Sequence, residues 1–284
     1  MIRLGSGRYR AVVNPYGASL AELSCDGRDV VVPQDGRGGP PTFRGAVLAP
    51  WPNRVHDGRY EFGGEPYALE INEPARGAAL HGLVFDREWA VSGQDADRAA
   101  LTVAIDPQEG YPFALRLEIE YALGDDGLAV TLRATNVGER AAPYGCGFHP
   151  YFSSGPVPID DVEVRIDAAE HLDVAGDRML PVGVSDTEGT AYDFTGGRPV
   201  GDQRLDDAYT RVGRVRLGHG VDLWRDEGLP WLQAFTPEGR DAIALEPCTC
   251  PEDAFRSGRD LVVLEPGEEH RVAWGVTVAP GGRG

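Results

Sequence analysis

His149 is a candidate for a residue that takes part in a chemical reaction. It lies in the segment GCGFHPYF (145–152), with a phenylalanine before it, a proline after it and two more aromatic residues behind. An imidazole changes its charge near neutral pH, so a well-positioned histidine can give or take a proton during a reaction. Packing among aromatic rings in the core is the simpler alternative. A role in proton transfer therefore requires a second titratable group.

Glu246 is the best candidate for that second group. It follows the apolar, strand-like run 242–245 in the segment AIALEPCTC and directly precedes Pro247. Because proline lacks the backbone N–H that a sheet needs, the sequence predicts that the strand ends or bulges at Glu246. A carboxylate at the end of an apolar strand is unlike an ordinary surface acid. Glu246 and His149 together would supply a base and an acid.

Other polar residues suit the binding of hydroxyl groups. His81 lies in the segment ALHGLVFDREW, and Arg54 follows Asn53 in APWPNRV. A guanidinium presents several donors in one plane, which suits neighbouring hydroxyls or a carbonyl. Asp206 and Asp207 form an acidic pair in RLDDAYT. On these residues alone, a turn histidine, a surface ion pair and solvated acids remain the alternatives.

This combination of residues indicates a neutral sugar as the ligand. Aromatic faces, those of the tryptophans among them, stack on the C–H surface of a sugar, while carboxylates and amides bind its hydroxyls. The sequence contains neither a GxxxxGK[ST] phosphate loop nor a GxSxG nucleophile motif, which argues against nucleotide use and serine-esterase chemistry. Cys248 and Cys250 lack a second Cys/His pair with the spacing of a zinc site. We therefore expect no metal site.

Composition narrows the possible partners. At pH 7 the 284-residue chain carries a net charge of −18, and a field of that sign repels nucleic acid and anionic membranes. The N-terminus lacks the basic start and apolar run of an export signal, and no apolar stretch has the length of a membrane span. Four cysteines are too few for a disulfide framework in a chain of this length. These features predict a cytoplasmic protein with reduced thiols.

Alternating apolar and polar residues recur along the whole chain. Between 113 and 135 two such runs flank the turn GDDG at 124–127, which predicts an antiparallel hairpin. No long segment has a helical period, so we predict an all-β chain with little helix, a large sandwich or barrel in a single domain over 1–284. Two all-β domains are the alternative. The segments 34–43 and 187–199 are rich in Gly, Pro and Thr and are predicted to be surface loops. Further strand-like runs are REWAVSG, ALTVAID, DVEVRID, RVRLG, WLQAFT, AIALEP and HRVAWGVTV.

Taken in order, six segments resemble the aldose 1-epimerases, also called galactose mutarotases. The resemblance covers nearly the whole chain and implies a large antiparallel β-sandwich, the galactose mutarotase-like supersandwich. It also implies an active site in an open cleft on a sheet face and no cofactor. The segments are NRVHDGRYEFGGEPYAL at 53–69, LHGLVFDREW at 80–89, GFHPYF at 147–152, LDDAYT at 205–210, LEPCTCPEDAF at 245–255 and LEPGEEHRVAWGVTV at 264–278.

The same resemblance implies a role for each candidate residue. Glu246 matches the general base, His149 the general acid and His81 a second histidine near the ring oxygen. Arg54, in the NR motif with Asn53, matches the arginine that binds sugar hydroxyls. The family's aspartate stands three residues before an aromatic residue, and counting back from Tyr209 selects Asp206 over Asp207.

The expected activity is interconversion of the α and β anomers of a free hexose such as glucose or galactose. Glu246 would take the C1 hydroxyl proton while protonated His149 gives a proton to the ring oxygen, with nearby carboxylates raising the pKa of His149. The partner is then a monosaccharide, and the chain is expected to be a monomer or a homodimer. One alternative is a hexose-6-phosphate 1-epimerase, for which Arg76, Arg87 and Arg204 could bind the phosphate. The other is a non-catalytic sugar-binding module of the same fold.

Overall fold

The structure is a computed structural model that describes residues 1–34, 41–218 and 220–279. Most of the predicted loop 34–43, residues 35–40, lies outside the described residues. The described helices are one α-helix, Ala254–Ser257 (α1), and the 3₁₀ turns Pro41–Phe43 and Ile159–Asp161. The strands are Ile2–Ser6 (β1), Tyr9–Asn14 (β2), Ser19–Cys25 (β3), Arg28–Val31 (β4), Val47–Leu48 (β5), Arg54–His56 (β6), Arg59–Phe62 (β7), Glu65–Ala68 (β8), Ala78–Leu80 (β9), Ala90–Gln94 (β10), Arg98–Ile105 (β11), Leu115–Gly124 (β12), Gly127–Asn136 (β13), Ala142–Tyr144 (β14), Gly147–Phe148 (β15), Tyr151–Ser153 (β16), Glu163–Ala175 (β17), Leu180–Asp186 (β18), Phe194–Pro199 (β19), Asp206–Leu217 (β20), Val221–Arg225 (β21), Trp231–Phe235 (β22), Ala242–Cys248 (β23), Val262–Leu264 (β24) and Glu269–Val278 (β25).

The hairpin predicted between 113 and 135 is confirmed. Strands β12 and β13 pair antiparallel from Leu115 opposite Asn136 to Gly124 opposite Gly127. Along β12 the apolar residues are buried and the charged residues between them are exposed. The period of two therefore fixes which face of the hairpin enters the core.

Antiparallel pairing joins the strands into two layers. One layer runs β10–β11–β12–β13–β25–β21, and the other runs β1–β2–β3–β4–β16–β23–β22. The long strand β20 pairs with both β21 and β22 and so connects them. The Tyr121 hydroxyl of β12 donates to the Ala18 carbonyl at 2.5 Å, and the Phe148 and Trp274 rings lie 5.5 Å apart. The expected large antiparallel β-sandwich with little helix is confirmed.

Strand register brings the two candidate catalytic residues together. On one side of β23, Gln233 of β22 pairs with Glu246. On the other side, Gly147 pairs with Cys248 and Tyr151 pairs with Ala244. The residue midway between Gly147 and Tyr151 is His149, so it lies opposite Glu246 in the interval between β15 and β16.

Two local predictions are wrong. Strand β23 does not end at Glu246 but continues through Pro247, which pairs with Leu232. On the side of β23 away from β22, β15 pairs with Cys248 and β16 pairs with Ala244, and neither strand pairs with the residues between them. Pro247 lies in this interval, so in the described structure its missing N–H interrupts no hydrogen bond between strands there. Similarly, the segment 187–199 is not all loop, because β19 pairs with β17 and Phe194 is buried in the core.

None of the described helices has the length and hydropathy needed to cross a membrane.

Candidate active site

A cavity of about 640 Å³ brings together all six residues that the sequence assigns to the site. Its volume falls in the range that small-molecule sites occupy in proteins. The predicted residues that line it are Asn53, Arg54, His81, His149, Asp206 and Glu246.

The acid–base candidates face each other inside this cavity. Nε2 of His149 lies 3.4 Å from Oε1 of Glu246, and the two residues are 5% and 2% exposed. The backbone N–H of His149 donates to the Ala46 carbonyl at 3.1 Å, which fixes the main chain. The imidazole stacks on the Tyr151 ring at 5.0 Å and 4°. The aromatic residues around His149 therefore orient its ring beside Glu246.

Burial sets the protonation of this pair in a way that the sequence did not predict. We expected carboxylates to raise the pKa of His149, but burial is the largest effect and lowers it to about 3, with the charge of Arg44 acting in the same direction. Burial also raises the pKa of Glu246 well above its usual range, and the charge of Asp206 adds to this. Both groups are thus driven towards their neutral forms, with one proton held by Glu246.

His81 is held as a neutral hydrogen-bond donor. Burial lowers its pKa well below the usual value, and the charges of His149 and Arg54 lower it further. Its Nδ1 accepts the backbone N–H of Asn53 at 3.2 Å, so the ring proton of the neutral form must be on Nε2. The left-handed backbone of His81, with φ of 65°, and an edge contact with Phe43 at 4.6 Å fix the ring.

Arg54 begins β6 and is buried, so its ion pairs are not those of a surface residue. It is 8% exposed and donates to both carboxylate oxygens of Glu73, at 2.7 and 3.2 Å. Carboxylates of Asp206 and Glu252 lie 3.7 and 3.6 Å from its terminal nitrogens. Burial opposes its charge, but these acids outweigh that effect and raise its pKa. Its Nη1 donates to Asn53 Oδ1 at 3.2 Å, which aligns the two residues.

Replacing Arg54 with glutamine is expected to lower the free energy of unfolding by about 3 kcal/mol, because the buried carboxylate of Glu252 and the half-buried ones of Glu73 and Asp206 lose the buried cation that they share. Urea denaturation at pH 7 measures this change. Arg133→Gln, which removes a pair whose side chains are 44% and 45% exposed, is the matched control and should cost less than about 1 kcal/mol. Equal losses in the two variants would contradict a buried, structural ion cluster around Arg54.

The structure separates the two adjacent aspartates. Asp206 lines the cavity, where its Oδ1 accepts from Gln233 Nε2 at 2.9 Å and its Oδ2 accepts from Arg76 Nη1 at 3.3 Å. Asp207 points elsewhere and pairs with Nε2 of the buried His171 at 3.1 Å. This is the outcome of strand alternation, because neighbours on β20 face opposite sides of the sheet.

The aromatic faces of the site are not the expected ones. Among the described residues no tryptophan lines the cavity, since four are buried elsewhere and Trp224 is on the surface. The aromatic residues that do line it are Phe43, Tyr151 and Phe235. Phe43 comes from the predicted loop 34–43, so that loop contributes a residue to the cavity wall. Its position had no sequence signal because a left-handed backbone, with φ of 62°, directs it inward.

Gln233 and Glu73 are polar site residues that the sequence reasoning missed. Gln233 is 8% exposed and stands alone among the apolar residues of β22, which was a usable signal. It bonds to Asp206 and is in register with Glu246. Glu73 had no comparable signal, because it lies in a polar segment and is recognisable only through its contact with Arg54.

In the described parts of the chain no group of three or more His, Cys, Asp or Glu residues has a metal-binding arrangement. The four cysteines are free and buried. What the cavity offers is one acid–base pair, one neutral N–H donor, and charged and amide groups able to bind hydroxyls.

Comparison with known proteins assigns this architecture to a family. The profile of the aldose 1-epimerase family matches residues 1–276. The uncharacterized protein YihR of Escherichia coli (strain K12) is 33% identical over 97% of this chain and 92% of its own length. Galactose mutarotase of Mus musculus is 33% identical over 54% of this chain, a match that spans 45% of that protein.

Solved structures agree on the fold. The GalM/aldose epimerase homologue from C. elegans superposes with a TM-score of 0.86 at 19% identity, covering 97% of each chain. With the family profile matching almost the full length, the chain belongs to the aldose 1-epimerase family.

Proposed function

We propose that this protein interconverts the α and β anomers of a hexose, such as glucose or galactose, by acid–base opening and closing of the pyranose ring. One observation carries the proposal: a buried carboxyl and a buried imidazole lie 3.4 Å apart on adjoining segments in a cavity of suitable size. Sugar binding alone does not require such a pair.

In the opening step Glu246 accepts the proton of the C1 hydroxyl and the O–H electrons form the C1=O1 double bond. The C1–O5 bond breaks, and O5 takes a proton from the imidazolium of His149. Rotation about C1–C2 presents the other face of the aldehyde, and closure reverses both proton transfers. Each positioned acid or base contributes about 10² to 10⁴ in rate.

The reaction requires that Glu246 and His149 together carry one dissociable proton. Opening begins with Glu246 ionised and His149 protonated, and it ends with both groups neutral. Burial favours the neutral form, as the opposed pKa shifts indicate, so the protein environment stabilises the pair as it stands after opening. Before opening, the proton that Glu246 holds in the neutral pair must move to His149 across the 3.4 Å gap between the two side chains, which gives the ionised pair from which opening begins.

The remaining groups would hold the sugar with its C1 and ring oxygen next to Glu246 and His149. The Nε2–H of His81 is suited to an oxygen near C1, while Arg54, Asn53 and Asp206 are suited to the ring hydroxyls. Phe43 and Tyr151 supply apolar faces for its C–H surface.

Exchange spectroscopy on equilibrated glucose and galactose tests the proposal, because it reads the rate at which the H1 signals of the two anomers interconvert. We expect catalytic amounts of protein to raise that rate well above the buffer rate for at least one sugar. Sugar binding without acceleration would instead identify a non-catalytic module and reject the proposal.

The pH profile should be unusually broad. Above the lowered pKa of His149, about 3, and below the raised pKa of Glu246, the pair carries one proton. In acid, His149 takes up a second proton while Glu246 keeps the first, so no base remains and activity falls. In alkali, Glu246 loses the only proton of the pair, so no acid remains and activity falls again. Measured from pH 5 upward, kcat/KM corrected for the buffer reaction should show no acid limb. Activity that rises with pH through an apparent pKa of about 6.5, the value of a free imidazole, would contradict this account.

A further inference from the structure

Part of the cavity lining has no role in the proposed reaction. We call this part the far end, and its residues are Arg44, Arg204 and the turn 236–239 that follows β22. It adjoins the pair, because the Arg44 guanidinium lies 4.7 Å from the centre of the Tyr151 ring, on which His149 stacks. A group on the sugar remote from C1 could therefore reach it.

The backbone on either side of Arg204 is fixed. Leu205 and Thr236 exchange two hydrogen bonds of 2.9 Å, one between main-chain atoms and one to the Thr236 hydroxyl. The carbonyl of Gln203 accepts from Arg240 at 3.0 Å. The segment that carries Arg204 is thus bound to the residues that form the far end.

The cavity arginines differ in how their charge is compensated. Arg54 and Arg76 lie beside Glu73 and Asp206, and Arg44 bonds to Asp241 at 3.1 Å. Arg204 is exposed at the cavity wall and has no ion pair or hydrogen bond to any residue that the structure describes, although acids outnumber basic residues 45 to 27 in the chain. An uncompensated guanidinium at a cavity wall is a ready partner for an anion.

We propose that the far end is a subsite for an anionic group that the sugar carries away from C1, with Arg204 as its principal ligand and Arg44 beside it. The inference rests on the proposed function for the position of C1 at Glu246 and His149. Phosphate, sulfate and carboxylate share the chemistry that a guanidinium recognises. Of the arginines considered for a phosphate, Arg76 already pairs with Asp206, and Arg87 does not line the cavity.

Glu238 is the acid that opposes this subsite. It lies on the turn 236–239, is exposed, and has no partner among the described residues. Its charge repels an anion that Arg204 attracts. Neutralising the two residues in turn should therefore change anion affinity in opposite directions, which no general effect of folding would do.

A binding comparison separates the subsite from catalysis. The ligands are 1,5-anhydroglucitol and its 6-phosphate, which lack the C1 hydroxyl and cannot mutarotate. By calorimetry at low salt we expect the phosphate to bind about tenfold more tightly, the effect of one charge-assisted contact near the surface. Arg204→Gln should remove most of that difference, and Glu238→Gln should increase it. Arg3→Gln, on an exposed position of β1 outside the cavity, is the control for net charge.

Turnover then identifies the anion. Glucose, glucose 6-phosphate, glucose 6-sulfate and glucuronate are compared by exchange spectroscopy in the native protein and in Arg204→Gln. We expect KM to rise about tenfold in the variant for at least one anionic sugar, to depend on ionic strength, and to stay unchanged for glucose. The sugar that responds most distinguishes a tetrahedral anion from a planar one.

Equal affinity for the two anhydroglucitols, or an affinity for the phosphate that Arg204→Gln leaves unchanged, would overturn the subsite. Absence of anomer exchange with every sugar, despite an Arg204-dependent preference for the phosphate, would reject the proposed function and leave the subsite standing.

Discussion

Glu246→Gln is expected to lower kcat for anomer interconversion about 10²- to 10⁴-fold, the range for loss of one general acid–base group. The amide keeps the shape of the carboxyl and can still hydrogen-bond to a sugar, but it neither accepts nor releases a proton at neutral pH. KM should therefore change little while kcat falls. Exchange spectroscopy over a range of glucose concentrations measures both.

The effect of Glu246→Gln on the free energy of unfolding can also be predicted. Because the folded-state pKa of Glu246 is raised, its ionisation opposes folding as the pH rises above the unfolded-state pKa. Removing it should leave the protein at least as stable at pH 7, so lost activity cannot be ascribed to unfolding. Glu238→Gln removes an exposed carboxylate from the same cavity and should retain kcat on glucose. Near-native kcat in Glu246→Gln would refute its role as the base.

His149→Gln is expected to cost about 10²-fold or more in kcat, because the amide cannot protonate the ring oxygen. The two residues act as one proton-transfer unit, so Glu246→Gln combined with His149→Gln should be scarcely slower than the worse single variant. Single-turnover rates in the three variants test this, with His270→Gln, a histidine of β25 outside the cavity, as the control. Multiplicative losses would mean that the two side chains act in separate steps.

The strands could be predicted from the local sequence, because a strand with one buried face has an apolar residue at every second position. The alternation in β12 and β13 fixes their facing sides without reference to the rest of the chain. The continuation of β23 through Pro247 could not be predicted in this way. It depends on a neighbour, the interval between β15 and β16, that is nearly one hundred residues distant in sequence.

The sequence could predict which residues lie in the site, but it could not predict how their surroundings shift their pKa values. The resemblance to a family selected Asp206 over Asp207, and the alternation of β20 now gives the physical reason. The pKa of His149 was predicted in the wrong direction, because the sequence shows nearby acids but not complete burial. Phe43 and Glu73 were missed since their positions arise from a left-handed turn and from one contact with Arg54.

The arrangement on adjacent strands explains how the site remains in place. Glu246 lies between Gln233 on β22 and His149 on the opposite side, so the sheet register sets the distance between acid and base. Sites on sheet strands are held more rigidly than sites on loops. Residues from turns, His81 and Phe43 among them, complete the cavity wall around that pair.

The fate of the C1 oxygen is the most direct test of ring opening between Glu246 and His149. Glucose labelled with ¹³C at C1 and ¹⁸O on the C1 hydroxyl reports that oxygen through the isotope shift of the C1 signal. We predict that the protein accelerates anomer exchange while the label stays on C1 through many rounds. Loss of the label at the rate of anomer exchange would mean that water displaces the C1 hydroxyl, and the account of C1–O5 opening would be wrong.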